Sequence, residues 1–216
     1  MPEVAPIVAQ AAMDSGVATR PIADMDAYRD RLQGFVFRSG LLMKPVFDAA
    51  ACGPKRVVYA DGETERVLHA ASQVLSMKIA EPILIGDADK IVARARELRL
   101  SIEGVRIVDP ATIDSAAYAA LLHSRAGRAG VNPRDALRGV RNDPTVLACL
   151  MLEQGEADAA ICGANGRFGH HLARVEGIIG LRPGVRSLAT LSALVLPKGT
   201  FFIADAYVNL DPNAEE

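Results

Sequence analysis

Three glycines, Gly163, Gly166 and Gly169, follow a short apolar run that ends at Ile161-Cys162. Glycines placed after a strand let the main chain approach a ligand closely, and amides at a helix start can hold an anion. The spacing is not that of a dinucleotide-binding loop and no phosphate-loop lysine follows, so a purely structural turn accounts for it as well. Residues 165–186 then carry Arg167, Arg174, Arg182 and Arg186 against Glu176 alone, a local excess of three positive charges. Guanidinium donors form a rigid fork that suits phosphate oxygens. A solvated basic helix face would carry the same charges, and both readings stay open at this point.

Other reactive side chains are less organised. His170 and His171 are neighbours, and on a helix they point about 100° apart, so they do not ligate one metal from one face. No metal site is expected. His69 and His123 read as ordinary helix residues. There is no GxSxG, and Cys52, Cys149 and Cys162 have no histidine at a telling spacing, so no catalytic nucleophile is identified. Asp61, Glu63, Glu65 and Arg66 follow the first candidate strand at its carboxyl end, where open α/β sheets place ligands. A helix start rich in acids explains them equally well.

These residues need elements to hold them. The chain has 216 residues, 50% of them apolar and 23% charged, with a net charge of −2. That is a folded-protein composition, and it lacks the broad basic surface of a nucleic-acid binder. No apolar run approaches the roughly 18–20 residues that span a bilayer. The N-terminus has no basic leader with an apolar block, and three scattered cysteines point to a reducing cytoplasm.

Val4, Ile7, Val8, Ala11 and Ala12 repeat at helical spacing, with Gly16 placed to end that helix. Residues 23–50 read as helix interrupted near Ser39-Gly40. From Pro54 the pattern alternates: KRVVYA, PILIG and VRIVD are short buried strands, separated by helical stretches with Val67, Leu68, Ala71 and Leu75 on one face and Asp87 as a cap. This alternation predicts a parallel sheet with helices on its faces. Asn132-Pro133 and Asp143-Pro144 each pair a capping residue with proline at the first helical position, and Gly155 ends the second of these helices. DAAICG is read as opening a second strand-rich block, with SLATLSALVLP and TFFIAD as later strands. The boundary is placed near residues 145–157.

PKRVVYADGETERVLHAA with PILIGDAD resembles the opening of the phosphate acetyltransferase/butyryltransferase family. NDPTVLACLMLEQGEADAAICG and GIIGLRPGVRSLATLSALVLPKGTFFIADAYVNLDPNAEE are similar to the transacetylase-like region of the large hybrid malic enzymes of bacteria. VAPIVAQAAMDSGVATRPI, YRDRL and FVFRSGLLMKPVF are similar to the end of their malic part and its connector.

The resemblance implies a three-layer α/β architecture with a mainly parallel sheet, two-lobed like the phosphotransacetylases and isocitrate dehydrogenases, its second lobe incomplete. Residues 1–53 would be the end of the malic part and the helical connector, 54–150 the first lobe and 151–216 the incomplete start of the second. It implies an acetyl-CoA or acyl-phosphate ligand, allosteric inhibition by acetyl-CoA, homo-oligomerisation and a cytoplasmic setting, with neither nucleic acid nor membrane as partner. NADP and Mg or Mn would belong to a malic part outside these residues. The ligand set carried over is Gly163, Asn165, Gly166, Arg167, Arg174, Asp205 and Asn209.

Departures from the pattern matter. Active transacetylases have arginine after the leucine of the turn, where this chain has Leu172-Ala173 and Arg174 one place later. Arg125 is an approximate counterpart of another family arginine. The family's serine-rich phosphate segment with its catalytic aspartate would follow Glu216. The chain is therefore read as an internal piece of a longer enzyme, expected to be inactive alone. The alternatives are an active phosphate acetyltransferase and a ligand-free oligomerisation module.

Overall fold

The computed structural model describes residues 4–36, 40–196, 199–205 and 208–209. They belong to two compact units, residues 48–185 and residues 1–47 with 186–216.

The first unit is built on a four-stranded parallel sheet of β1 (Lys55–Tyr59), β2 (Ala80–Ile85), β3 (Arg106–Val108) and β4 (Ala159–Ile161), in the order β3-β2-β1-β4. Helices α4 (Glu65–Met77) and α5 (Ala88–Glu97) fill the first two crossovers. Four more helices, α6 (Ser115–Ala126), α7 (Pro133–Asn142), α8 (Pro144–Glu153) and α9 (Phe168–Ile178), follow β3. The period-2 alternation of strand side chains divides the core. Val58, Ala60, Ile83, Ile85 and Val108 pack with residues of α6 to α9. Val57, Tyr59, Leu84 and Ile107 pack with Val67, Leu68, Ala71 and Ile91 of α4 and α5. The sheet is thus covered on both faces, which is why its strands read as continuous apolar runs rather than alternating ones. This is the α/β architecture with a parallel sheet that the sequence predicts.

α8 is the most enclosed element: every residue from Thr145 to Met151 is buried. Helix starts follow the expected chemistry. Asp87 accepts from the Lys90 amide, Asn132 from the Asp135 amide, and Asp143 from the amides of Thr145 and Val146. Each satisfies amides that have no partner inside the helix. β4 differs from the expectation that DAAICG opens a second strand-rich block: it is the fourth strand of the first sheet. Arg56 and Asp158 explain the pairing. The Arg56 amide and guanidinium both donate to the Asp158 carboxylate, at 2.8–3.1 Å, and the Asp158 amide donates to the Arg56 carbonyl at 2.8 Å. The expected break between residues 150 and 151 falls inside α8 and within this unit.

In the second unit, α1 (Val4–Asp14) stops before Gly16, whose φ of 73° lies in the left-handed region. Its periodicity matches the sequence; Val4, Ile7 and Val8 of that repeat are exposed, and Pro6 is its buried residue. α2 (Met25–Val36) and α3 (Gly40–Cys52) flank the expected interruption, which with Ser39 lies outside the described residues; α3 runs on into the first unit. Strands β5 (Leu191–Leu196) and β6 (Gly199–Ala204) form an antiparallel hairpin with Leu194 opposite Phe201. Leu191, Leu196, Phe201, Phe202 and Ile203 are all exposed on it.

Candidate functional site

The glycine-rich turn leaves β4 and leads into α9. Gly163 and Gly166 have φ of 91° and 93°, so both need the left-handed freedom of glycine. Gly169 lies inside α9 in open surroundings and is not part of the turn. The start of the turn is held by Asp61, which follows β1: one carboxylate oxygen accepts from the amides of Gly163 (3.2 Å) and Ala164 (3.0 Å). Its middle is held by His171. Nε2 of that ring lies 2.6 Å from the Asn165 carbonyl oxygen, and Nδ1 lies 2.9 Å from the hydroxyl of Thr145. A carbonyl only accepts, so Nε2 carries the proton. A Cβ on Gly166 would stand 2.8 Å from His171 Nε2, so this glycine also makes room for the ring.

The two arginines singled out from the sequence have different surroundings. Arg167 is exposed at the N-cap of α9, makes no side-chain cap, and has no side-chain hydrogen bond or ion pair among the described residues. Arg174, two turns further, donates from Nε to Asp143 at 3.0 Å, and its Nη2 lies 3.2 Å from His170 Nε2. Asp143 thereby uses one oxygen on the α8 cap and the other on Arg174.

Two clefts adjoin these residues. One of about 490 Å³ is lined by Thr64, Glu65, Arg66, His69, Ala164 and Asn165, joining the turn to the start of α4. The other, of about 390 Å³, has Arg138, Asp143, Ala173 and Arg174 on its rim and Leu122, Val146 and Ile178 among its apolar lining. Asn165 lines the first cleft and Arg174 the second; Arg167 lines neither. The acids after β1 brace neighbouring loops. Asp61 holds the turn, Glu63 accepts from the Asp87 amide at 2.9 Å, and Glu65 pairs with Arg94 at 2.9 Å. Arg66 and His69, one turn apart, are left facing the first cleft.

Asp205 and Asn209 lie in the other unit and hold each other. The amide and side-chain nitrogen of Asn209 both donate to the Asp205 carboxylate, which also accepts from Thr190, while Asn209 reaches the Leu188 carbonyl at 2.8 Å. Burial pushes the Asp205 pKa up, but these hydrogen bonds outweigh it and leave it below the ordinary value. Burial pushes the Cys149 thiol up to about 12 and also raises Cys162, which keeps the proton on sulfur and removes nucleophilic character. Among the described residues no group of three or more His, Cys, Asp and Glu could hold a metal ion. None of their helices is long and apolar enough to cross a membrane.

The family model of the phosphate acetyl/butaryl transferases matches residues 41–216. The chain belongs to the phosphate acetyl/butaryl transferase family. The match takes in the whole parallel sheet, the turn and the hairpin, and leaves α1 and α2 outside. The family fold is seen directly in a phosphotransacetylase from Streptococcus pyogenes, which superposes with a TM-score of 0.71 at 23% identity, covering 82% of this chain and 54% of that one. Among curated relatives, the NADP-dependent malic enzyme of Escherichia coli (strain K12) is 43% identical over 99% of this chain and 29% of its own length. The NAD-dependent malic enzyme of Rhizobium meliloti (strain 1021) is 47% identical over 99% of this chain and 28% of its own. The chain thus spans less than a third of the length of these malic enzymes.

The sequence singles out this family member's turn through its glycines and arginines. It gives no sign of Thr145, of the double use of Asp143, or of His69 and Asn165 lining one cleft. His171 was visible only as half of a histidine pair. A pattern of hydroxyl, glycine and histidine at positions 145, 166 and 171 becomes meaningful only once α8 and α9 are packed together.

Proposed function

We propose that this chain is the phosphate-acetyltransferase-like region of a malic enzyme, and that it binds acetyl-CoA or an acyl phosphate as a regulatory ligand in the cytoplasm. The observation that carries the reading is the family match over residues 41–216 combined with 43–47% identity to malic enzymes over 99% of the chain. In this reading malate oxidation, its dinucleotide and its divalent metal belong to the part of such enzymes that these residues do not match. One relative is NADP-dependent and the other NAD-dependent by name, so the similarity favours neither dinucleotide.

The ligand would lie along the turn from Gly163 to Arg167, with Asn165 and the exposed Arg167 as its contacts and Arg66 and His69 across the cleft. Arg167 suits a phosphate because its guanidinium has no competing carboxylate. Arg174 would contribute only by exchanging Asp143 for the ligand. Asp205 and Asn209, occupied with each other, would act by shaping the hairpin end. Homo-oligomerisation is part of the same reading, and the exposed apolar residues of the hairpin support it.

Calorimetric titration of the full chain with acetyl-CoA should show binding that weakens on Arg167→Ala; no binding by the unsubstituted chain would end the ligand assignment. The family name favours a second reading, acyl transfer between acetyl phosphate and CoA, and formation of acetyl-CoA from those two compounds would establish it. Light scattering with and without acetyl-CoA tests assembly, and a ligand-dependent change would exclude a ligand-free structural module.

A further inference from the structure

We propose that His171 is the positioning residue of the ligand turn, transmitting the rigidity of α8 through Thr145 to the main chain at Asn165. The claim rests on the acyl-ligand reading for its functional meaning, and on the geometry alone for its mechanical one.

A turn with two left-handed glycines has little stiffness of its own, because glycine samples more backbone conformations than any other residue. Its start is fixed by Asp61, but those bonds end at Ala164. The peptide between Asn165 and Gly166 leads directly to Arg167, so a rotation there would swing an arginine that has no side-chain hydrogen bond or ion pair among the described residues. His171 meets this peptide from α9 with Nε2 at 2.6 Å from the Asn165 oxygen. The other ring nitrogen reaches Thr145, which is 3% exposed and sits in the first turn of α8, the most enclosed helix of the unit. With the proton on Nε2, neutral imidazole offers Nδ1 as an acceptor, and the Thr145 hydroxyl donates to it. The path is therefore buried helix, hydroxyl, imidazole, carbonyl, turn. Gly166 belongs to it as well, since any larger residue would press on the ring. His170 is not on this path; it is exposed and lies beside Arg174. Arg174 and His171, three residues apart, both tie α9 to the start of α8, the one through Asp143 and the other through Thr145.

The test uses the full chain with His171→Ala, His171→Gln, Thr145→Val and Thr145→Ser, each checked for native circular dichroism. Amide hydrogen exchange over residues 165–168 is read by nuclear magnetic resonance, and acetyl-CoA affinity by calorimetry. Removing one buried hydrogen-bond partner should accelerate exchange and weaken acetyl-CoA by about tenfold in His171→Ala and Thr145→Val. Glutamine presents an amide donor and an acceptor oxygen in place of the two ring nitrogens, so His171→Gln should recover most of both effects, as should Thr145→Ser. In the unsubstituted chain, long-range nitrogen-proton correlations should show His171 with its proton on Nε2. Unchanged exchange in both His171→Ala and Thr145→Val overturns the proposal, as does failure of His171→Gln to recover either readout. If the unsubstituted chain binds no acetyl-CoA, the ligand reading fails and the exchange data alone decide the positioning role.

Discussion

At the scale of single residues, the two positive-φ glycines of the turn are not equivalent. Alanine at Gly163 meets only the backbone strain of φ 91°, since the nearest atom is 3.8 Å from a new Cβ. Alanine at Gly166 adds a 2.8 Å contact with the His171 ring to the same strain. Strain of this kind costs about 1–3 kcal/mol. Gly166→Ala is therefore expected to lower the urea midpoint more than Gly163→Ala, and to speed amide exchange around Asn165. The thiols make a second residue-level prediction. With its pKa pushed up to about 12 by burial, Cys149 should resist a thiol reagent at pH 8 until the chain is unfolded, whereas exposed Cys52 should react in the native state. Early labelling at Cys149, located by mass spectrometry, would contradict the enclosed packing of α8.

At the scale of elements, Asp143 and Asp158 act where chain segments must be joined. Asp143 caps α8 and pairs with Arg174, so Asp143→Ala removes both at once. Loss of the cap alone costs about 0.5–2 kcal/mol, and the thermal midpoint should fall accordingly, with Arg174 released into its cleft. Asp158 fixes β4 beside β1. Its carboxyl is held down to about 2 by hydrogen bonds from the Arg56 side chain and amide. Because the folded value is depressed, its stabilisation is complete above the ordinary 3.8 and is lost as pH falls toward 2. The difference in urea midpoint between the unsubstituted chain and Asp158→Ala should thus be constant from pH 5 to neutrality and shrink between about pH 4 and pH 2. A difference that persisted at pH 2 would assign the effect to something other than this carboxylate.

At the scale of the whole molecule, the contrast is between the enclosed sheet unit and the open surfaces of the other unit. Leu147, fully buried in α8, should cost about 2–5 kcal/mol when replaced by alanine, while Val8→Ala on exposed α1 should change stability by about 0.5 kcal/mol or less. Urea unfolding of the two variants checks this directly. The sequence by itself determined the parallel α/β class, the three first strands, the caps at Asp87, Asn132 and Asp143, and the glycine turn. Those features are written in local patterns: apolar runs, capping side chains, and glycine where φ is positive. Only the tertiary structure decided that β4 joins the first sheet, that the stripe on α1 is left open, that Arg174 is engaged by Asp143, and that His171 braces the turn. The contacts among these join residues far apart in the chain, up to 102 positions for Arg56 and Asp158, and a side chain carries no local mark of the partner that packing will bring, or fail to bring, to it.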